Sequence, residues 1–249
     1  MAINDTVKSV SLAYSTYITS EGWQRFARCL RNPNIALQEL NVRSCHDVDG
    51  EVEVGLDDEG VIAIGESLAM NKTLKKLDMS HNIGITSDGW IQFFNVLLQS
   101  KCSLEELNVS RNSIDDEGAE ALVNLLITMH DFHTLHLRYS DCTANGLRTF
   151  TRLLQPSSKV TTLDLGMNEF SDEVVNDFVD MLANNSTLTT LHIGGDEITD
   201  RSWAALSHAL CDETSIKNTY SSNHTLHTLE KFDDDVQAEI PYDLSTCCA

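Results

Sequence analysis

Six residues carry the chemistry best suited to recognition: Arg43, His81, Arg111, His136, Arg138 and Tyr139. Guanidinium groups offer paired donors to carboxylates. Arg and Tyr are also the residues that interfaces use most. A catalytic set is harder to assemble. The chain has no G-x-x-x-x-G-K-[ST], G-x-G-x-x-G, H-E-x-x-H or G-x-S-x-G motif. Its nine histidines are scattered, and no Cys/His cluster has zinc spacing. His133 and His136 are three apart, which on a strand puts them on opposite faces. Asp47, Asp49 and Gly50 suggest a calcium loop, but the acidic first and twelfth positions of that loop fall on Cys45 and Leu56. No metal, no other cofactor and no enzymatic activity are expected.

The elements that position the six residues repeat along the chain. Leu104–Met129 reads as a short buried strand (Leu104, Leu107, Val109) followed by Asn112 and Ile114, an acidic turn, Gly118, and a helix with apolar residues at Ala119, Leu122, Leu125 and Leu126. Such a unit cannot bury its apolar side alone, so copies of it must stack. Copies start at 7, 37, 74, 104, 132, 160, 188 and 216, and the last four steps are all 28 residues. The start at Ile216 is the weakest, with Thr219 and Ser221 in place of apolar residues. The Asn82, Asn112 and Asn168 position holds Ser15, Cys45, Ser140, Asp196 and His224 elsewhere.

This L-x-x-L-x-L-x-x-N pattern resembles the leucine-rich repeat family. The 28-residue period with a full helix per repeat is similar to its ribonuclease-inhibitor-like subclass. The resemblance implies an α/β solenoid, a horseshoe of about eight repeats with a parallel sheet on the concave face and helices on the convex face. One domain is expected over 1–249, with eight repeats over 7–225 and a C-terminal cap and tail over 226–249. Leu226, Leu229, Phe232 and Val236 suggest a last helix there. The stretch 46–54 is an acidic insertion, expected to project from the strand-to-helix edge. The first repeat lacks the usual polar cap, so it is expected either to be covered by a partner or to continue a longer array.

Strand geometry then selects the exposed floor. Side chains two, four and six residues after each start face outward, and the seventh lies at the rim. The six candidates all occupy these positions on strands two to five. The expected function is non-catalytic protein–protein interaction through the concave face. The expected partner is a protein, with an acidic patch complementing the arginines. The alternative is regulation of a small GTPase, because Ran GTPase-activating proteins have similar repeats; it rests on fold analogy alone.

The formal net charge of −21 argues against nucleic acid and anionic membrane as partners, since both require basic patches. Much of the acid precedes or begins a predicted helix, where it opposes the helix dipole. The N-terminus lacks an apolar signal segment, so a cytoplasmic location and reduced cysteines are expected. If the register is right, Leu107 is core. Leu107→Ala should then cost about 2–5 kcal/mol, read as a lowered thermal melting temperature.

Overall fold

The computed structural model describes residues 6–32, 35–45, 55–100, 102–155, 158–194, 198–210, 223, 225–233 and 236–243, the stretch 230–243 as backbone only. The chain divides into two compact units, Met1–Phe132 and His133–Ala249. The first alternates β1 (Ser9–Ser11), α1 (Ser20–Leu30), β2 (Glu39–Asn41), α2 (Asp58–Leu68), β3 (Lys76–Asp78), α3 (Ser87–Leu98), β4 (Glu106–Asn108) and α4 (Asp116–Leu126). The second runs β5 (Thr134–His136), α5 (Ala144–Thr149) with a 3-10 turn to Leu154, β6 (Thr162–Asp164), α6 (Asp172–Leu182), β7 (Thr190–Ile193), α7 (Asp200–Leu210), β8 (Thr228–Asp233) and β9 (Val236–Asp243). Within each unit the strands β1–β4 and β5–β8 pair in parallel and in repeat register, as in Leu40↔Leu77↔Leu107 and Leu135↔Leu163↔Leu191. The fold is the expected α/β leucine-rich repeat solenoid.

Leu40, Leu77, Leu107, Leu135, Leu163 and Leu191 are all buried. Each contributes about 1.5–3 kcal/mol of apolar burial. The turns after β3, β4 and β6 are each held by an asparagine. Asn82 Oδ1 accepts from the Cys45 N–H at 2.8 Å, and its Nδ2 donates to Val42 O at 3.0 Å and Met79 O at 2.8 Å. Asn112 binds the Asn82 N–H and the Met79 and Val109 carbonyls in the same way. Asn168 does so for Ser140, Leu137 and Leu165. Where the asparagine is missing at Cys45, the buried thiol donates to Leu12 O at 3.1 Å.

Helices α1–α5 begin two residues before the repeated glycine. In α1–α4 that glycine is the third helical residue. Its N–H is capped by the side chain of Thr19, Asp57, Thr86 or Asp115. A side chain at Gly89 would run into the Asp58 carboxylate. That carboxylate is itself committed: it accepts from both N–H and Oγ1 of Thr86, at 2.7 Å each. Asp172 does the same for Thr199. The acid at helix starts therefore ties successive helices together. Trp23 and Trp90 are fully buried among helices, Trp90 against Phe93 and Phe94.

Two expectations about the C-terminal part need correction. The strand that pairs with β7 is β8, with Leu191 opposite Leu229. The eighth start is thus Leu226, 38 residues after Leu188, and not Ile216. The expected strand at 216–221 lies outside the described residues. The expected helix over 226–236 is instead the hairpin β8–β9, antiparallel. The physical reason is burial: Leu226 and Leu229 offer two apolar side chains to the core where Thr219 and Ser221 offer none.

A signal for this was present in the sequence. Asn71-x-Thr73-Leu74, Asn185-x-Thr187-Leu188 and Asn223-x-Thr225-Leu226 share a buried turn in which the asparagine Oδ1 accepts from the two N–H groups before the strand. These Asn-x-Thr stretches are structural turns.

The insertion 46–54 lies outside the described residues, but its flanks meet. Leu56 N donates to Cys45 O at 2.6 Å, closing the loop at the strand-to-helix edge.

Asn82→Ala removes one acceptor and two donors from buried backbone groups. It should cost about 1–3 kcal/mol or more, with each orphaned group contributing. The measurement is a urea denaturation midpoint. Asn82→Asp, which has no Nδ2 donor, should be no milder.

Candidate functional site

The strand face of each unit is built in rows, one residue per repeat. In the row four residues after each start, Asn41, Asp78, Asn108 and Asp164 each accept from the N–H two residues on, at 2.9–3.3 Å. These outward residues hold the turn. In the row seven residues after each start, the backbone enters the left-handed region at Tyr14, Ser44, His81, Arg111, Tyr139 and Met167, with φ between 49° and 63°. None is glycine, so each is strained by of order 1 kcal/mol or more. The strained N–H reaches the carbonyl of the next repeat, as in His81 to Ser110 O at 2.8 Å and Tyr139 to Gly166 O at 3.3 Å.

Of the six predicted residues, three in each unit, His136 lies in the first of these rows, His81, Arg111 and Tyr139 in the second, and Arg43 and Arg138 in the row six residues after each start. In the first unit Arg43 and Arg111 are exposed. His81 Nδ1 lies 2.8 Å from Ser44 Oγ, so its ring is held by the preceding turn. The basic residues there do not stand alone: Lys76 pairs with Glu106 at 2.8 Å. In the second unit Tyr139 is 38% exposed.

His136 and Arg138 are brought together there by a residue that sequence reasoning placed on the floor but left out of the site. This is Asp164, 3% exposed. Its Oδ2 accepts from Arg138 Nε at 2.5 Å and lies 3.3 Å from His136 Nδ1. His192, also left out, completes the group: Arg138 Nη2 is 2.9 Å from its Nδ1. The same nitrogen lies 3.5 Å from Asp164 Oδ2. One nitrogen cannot serve both. Beside a group that only donates, Nδ1 accepts, and the longer approach to Asp164 is not a hydrogen bond.

Gly166 and Gly194, both buried, present no side chain in Arg138's row on β6 and β7. Arg138 can therefore reach across two strands, about 9–10 Å. The signal available in the sequence was the alternation His136, Asp164, His192 at one repeat position, beside two glycines at the next outward one.

Burial alone would raise the Asp164 pKa. The hydrogen bond from His136, the approach of the His192 ring and the charge of Arg138 outweigh it and hold the carboxyl well below the usual carboxylate range. A depressed folded-state pKa contributes stability that is full above the unfolded value, near 3.9, and is lost as pH falls through the folded value. Asp164→Asn should therefore lower the melting temperature at pH 7. Its deficit against wild type should shrink as pH falls below about 4, followed by thermal denaturation across pH 7 to 2.5.

No helix among the described residues is long and apolar enough to cross a membrane, and no group of three or more His, Cys, Asp or Glu among them is placed to hold a metal.

Comparison with known proteins agrees with the repeat register. The Leucine Rich repeat family model matches residues 71–91, 100–123 and 157–173. The chain is 36% identical to mouse (Mus musculus) ribonuclease inhibitor over 93 residues, 37% of this chain and 20% of that protein. It is 31% identical to pig (Sus scrofa) ribonuclease inhibitor over 157 residues, 63% of this chain and 32% of that one. It is 25% identical to mouse NACHT, LRR and PYD domains-containing protein 14 over 149 residues, 59% of this chain and 14% of that one. The matches thus span a third or less of each relative's length. On the strand register, the asparagine turns and these matches, the chain is built of leucine-rich repeats and is similar to the ribonuclease inhibitors.

Proposed function

We propose that the chain is a non-catalytic protein-binding module whose contacts lie on the strand face of each unit. One observation carries this. The row that holds the turns uses up its asparagines and aspartates, while the rows just beyond it present Arg43, Arg111 and Tyr139 to solvent. Arg111 and Tyr139 sit on backbone already fixed in the left-handed region, so anchoring them requires no further backbone ordering.

The relatives support the same class of function. Two are named ribonuclease inhibitors, proteins that by name act on another protein. Arginine favours a partner with carboxylates on its surface. The negative balance of the rest of the chain disfavours that partner elsewhere and so restricts docking to these faces. The site residues are Arg43, His81 and Arg111 on the first unit and His136, Arg138 and Tyr139 on the second.

The test is affinity capture from extract of the source cells with wild type and four variants, followed by binding measurements on the captured protein. Arg111→Ala and Tyr139→Ala should each weaken binding by about 1–3 kcal/mol, roughly five- to 150-fold, without lowering the melting temperature. Glu117→Ala on α4 and Asp180→Ala on α6, both exposed on helices, should change it little. Equal losses from helix and strand-face variants, or no loss from either, refute the assignment.

A further inference from the structure

Arg138 spends one of its guanidinium nitrogens on an uncharged acceptor. Nη2 donates to His192 Nδ1 at 2.9 Å. A guanidinium has no lone pair to offer in return. The bond therefore exists only while Nδ1 is bare and the His192 ring carries its proton on Nε2. A proton on Nδ1 sets donor against donor and two cations 2.9 Å apart. The new N–H then has Asp164 Oδ2 to turn to, 3.5 Å away. There it competes with Arg138 and His136 for one oxygen.

The charged and titratable groups that face His192 come from three other strands. From β5 the facing groups are His136 and Arg138, and from β6 Asp164. On β8 the residue in register with His192 is Glu230. With both imidazoles neutral, Arg138 (+1) and Asp164 (−1) sum to zero; with both protonated the four groups sum to +2. The Arg138 side chain is 26% exposed.

We propose that this cluster is a carboxylate-binding subsite of the second unit's strand face, opened by protonation of His192. It deepens the protein-binding reading and rests on it. At neutral pH the imidazole occupies Arg138. On acidification the ring releases it, and the guanidinium presents donors to a partner's Asp or Glu side chain beside two imidazolium groups.

Two measurements test this on the full chain. The first is histidine ring 15N–1H correlation at pH 7.5, with His192 assigned by its absence in His192→Gln. The expected result is the Nε2–H tautomer; the Nδ1–H tautomer overturns the proposal. The second is binding of an acetylated, amidated tetraglutamate peptide at pH 7.5 and 5.5, both above the range where glutamate protonates. Wild type should bind at least fivefold more tightly at pH 5.5. His192→Gln keeps a neutral acceptor for Arg138 at both pH values and should lose that ratio. Arg138→Gln should bind weakly at both. His208→Gln on α7 should keep the wild-type ratio, which accounts for the general loss of negative charge on acidification. An unchanged ratio in His192→Gln, or no peptide binding at either pH, overturns the subsite. Capture of a partner by Arg111 and Tyr139 can succeed or fail independently, so the two proposals fail separately.

Discussion

The turn that follows each strand is the constraint on which the remaining structure depends. A parallel strand of three residues must end abruptly so that the chain can cross to the helix layer. The backbone does this through a left-handed residue, and the next side chain must then satisfy the polar groups that the turn buries. Asparagine can do so because one amide both accepts and donates, and Asn82, Asn112 and Asn168 each bridge two repeats. The stack is therefore held by buried hydrogen bonds as well as by leucines. An unsatisfied buried amide is expensive. The ladder consequently fixes how one repeat sits on the next, where apolar contact alone would tolerate some sliding.

The acidity of the chain has a related origin. Asp58 and Asp172 serve the N-cap threonine of the following helix, and in both cases the carboxylate takes an N–H and a hydroxyl together. The Thr199 N–H and its neighbours hold the Asp172 carboxyl below the usual range, as expected for a carboxylate at a helix start that accepts several bonds. Charge that looks like a functional signal in the composition is thus partly mortar between helices. The strand face carries a different chemistry, with arginine, histidine and tyrosine presented on strained backbone.

That strand face is divided by role. Outward residues nearest the core edge cap the turn backbone, which explains asparagine and aspartate in that row. His136 and His192 stand in the same row without that capacity and turn instead to Asp164 and Arg138. Asp164 does both jobs, with one oxygen on the Gly166 N–H and the other on the basic groups. The polar floor is neutralised locally within the second unit. There the basic groups are committed to Asp164 and to one another.

Sequence by itself determined the repeat, the strand and helix assignments of the first seven copies, and the core leucines. Those follow from a periodicity that only one packing can satisfy. It also determined which residues face outward, because strand alternation is geometric. Tertiary structure decided where the last repeat begins, since an interval of 38 looks like lost periodicity until Leu229 is seen opposite Leu191. It decided as well that Arg138 belongs with Asp164 and His192, two strands and 54 residues apart. No spacing rule in the chain encodes that contact. It depends on glycines at 166 and 194 leaving the space that a long side chain can cross, and such space exists only once the strands are side by side.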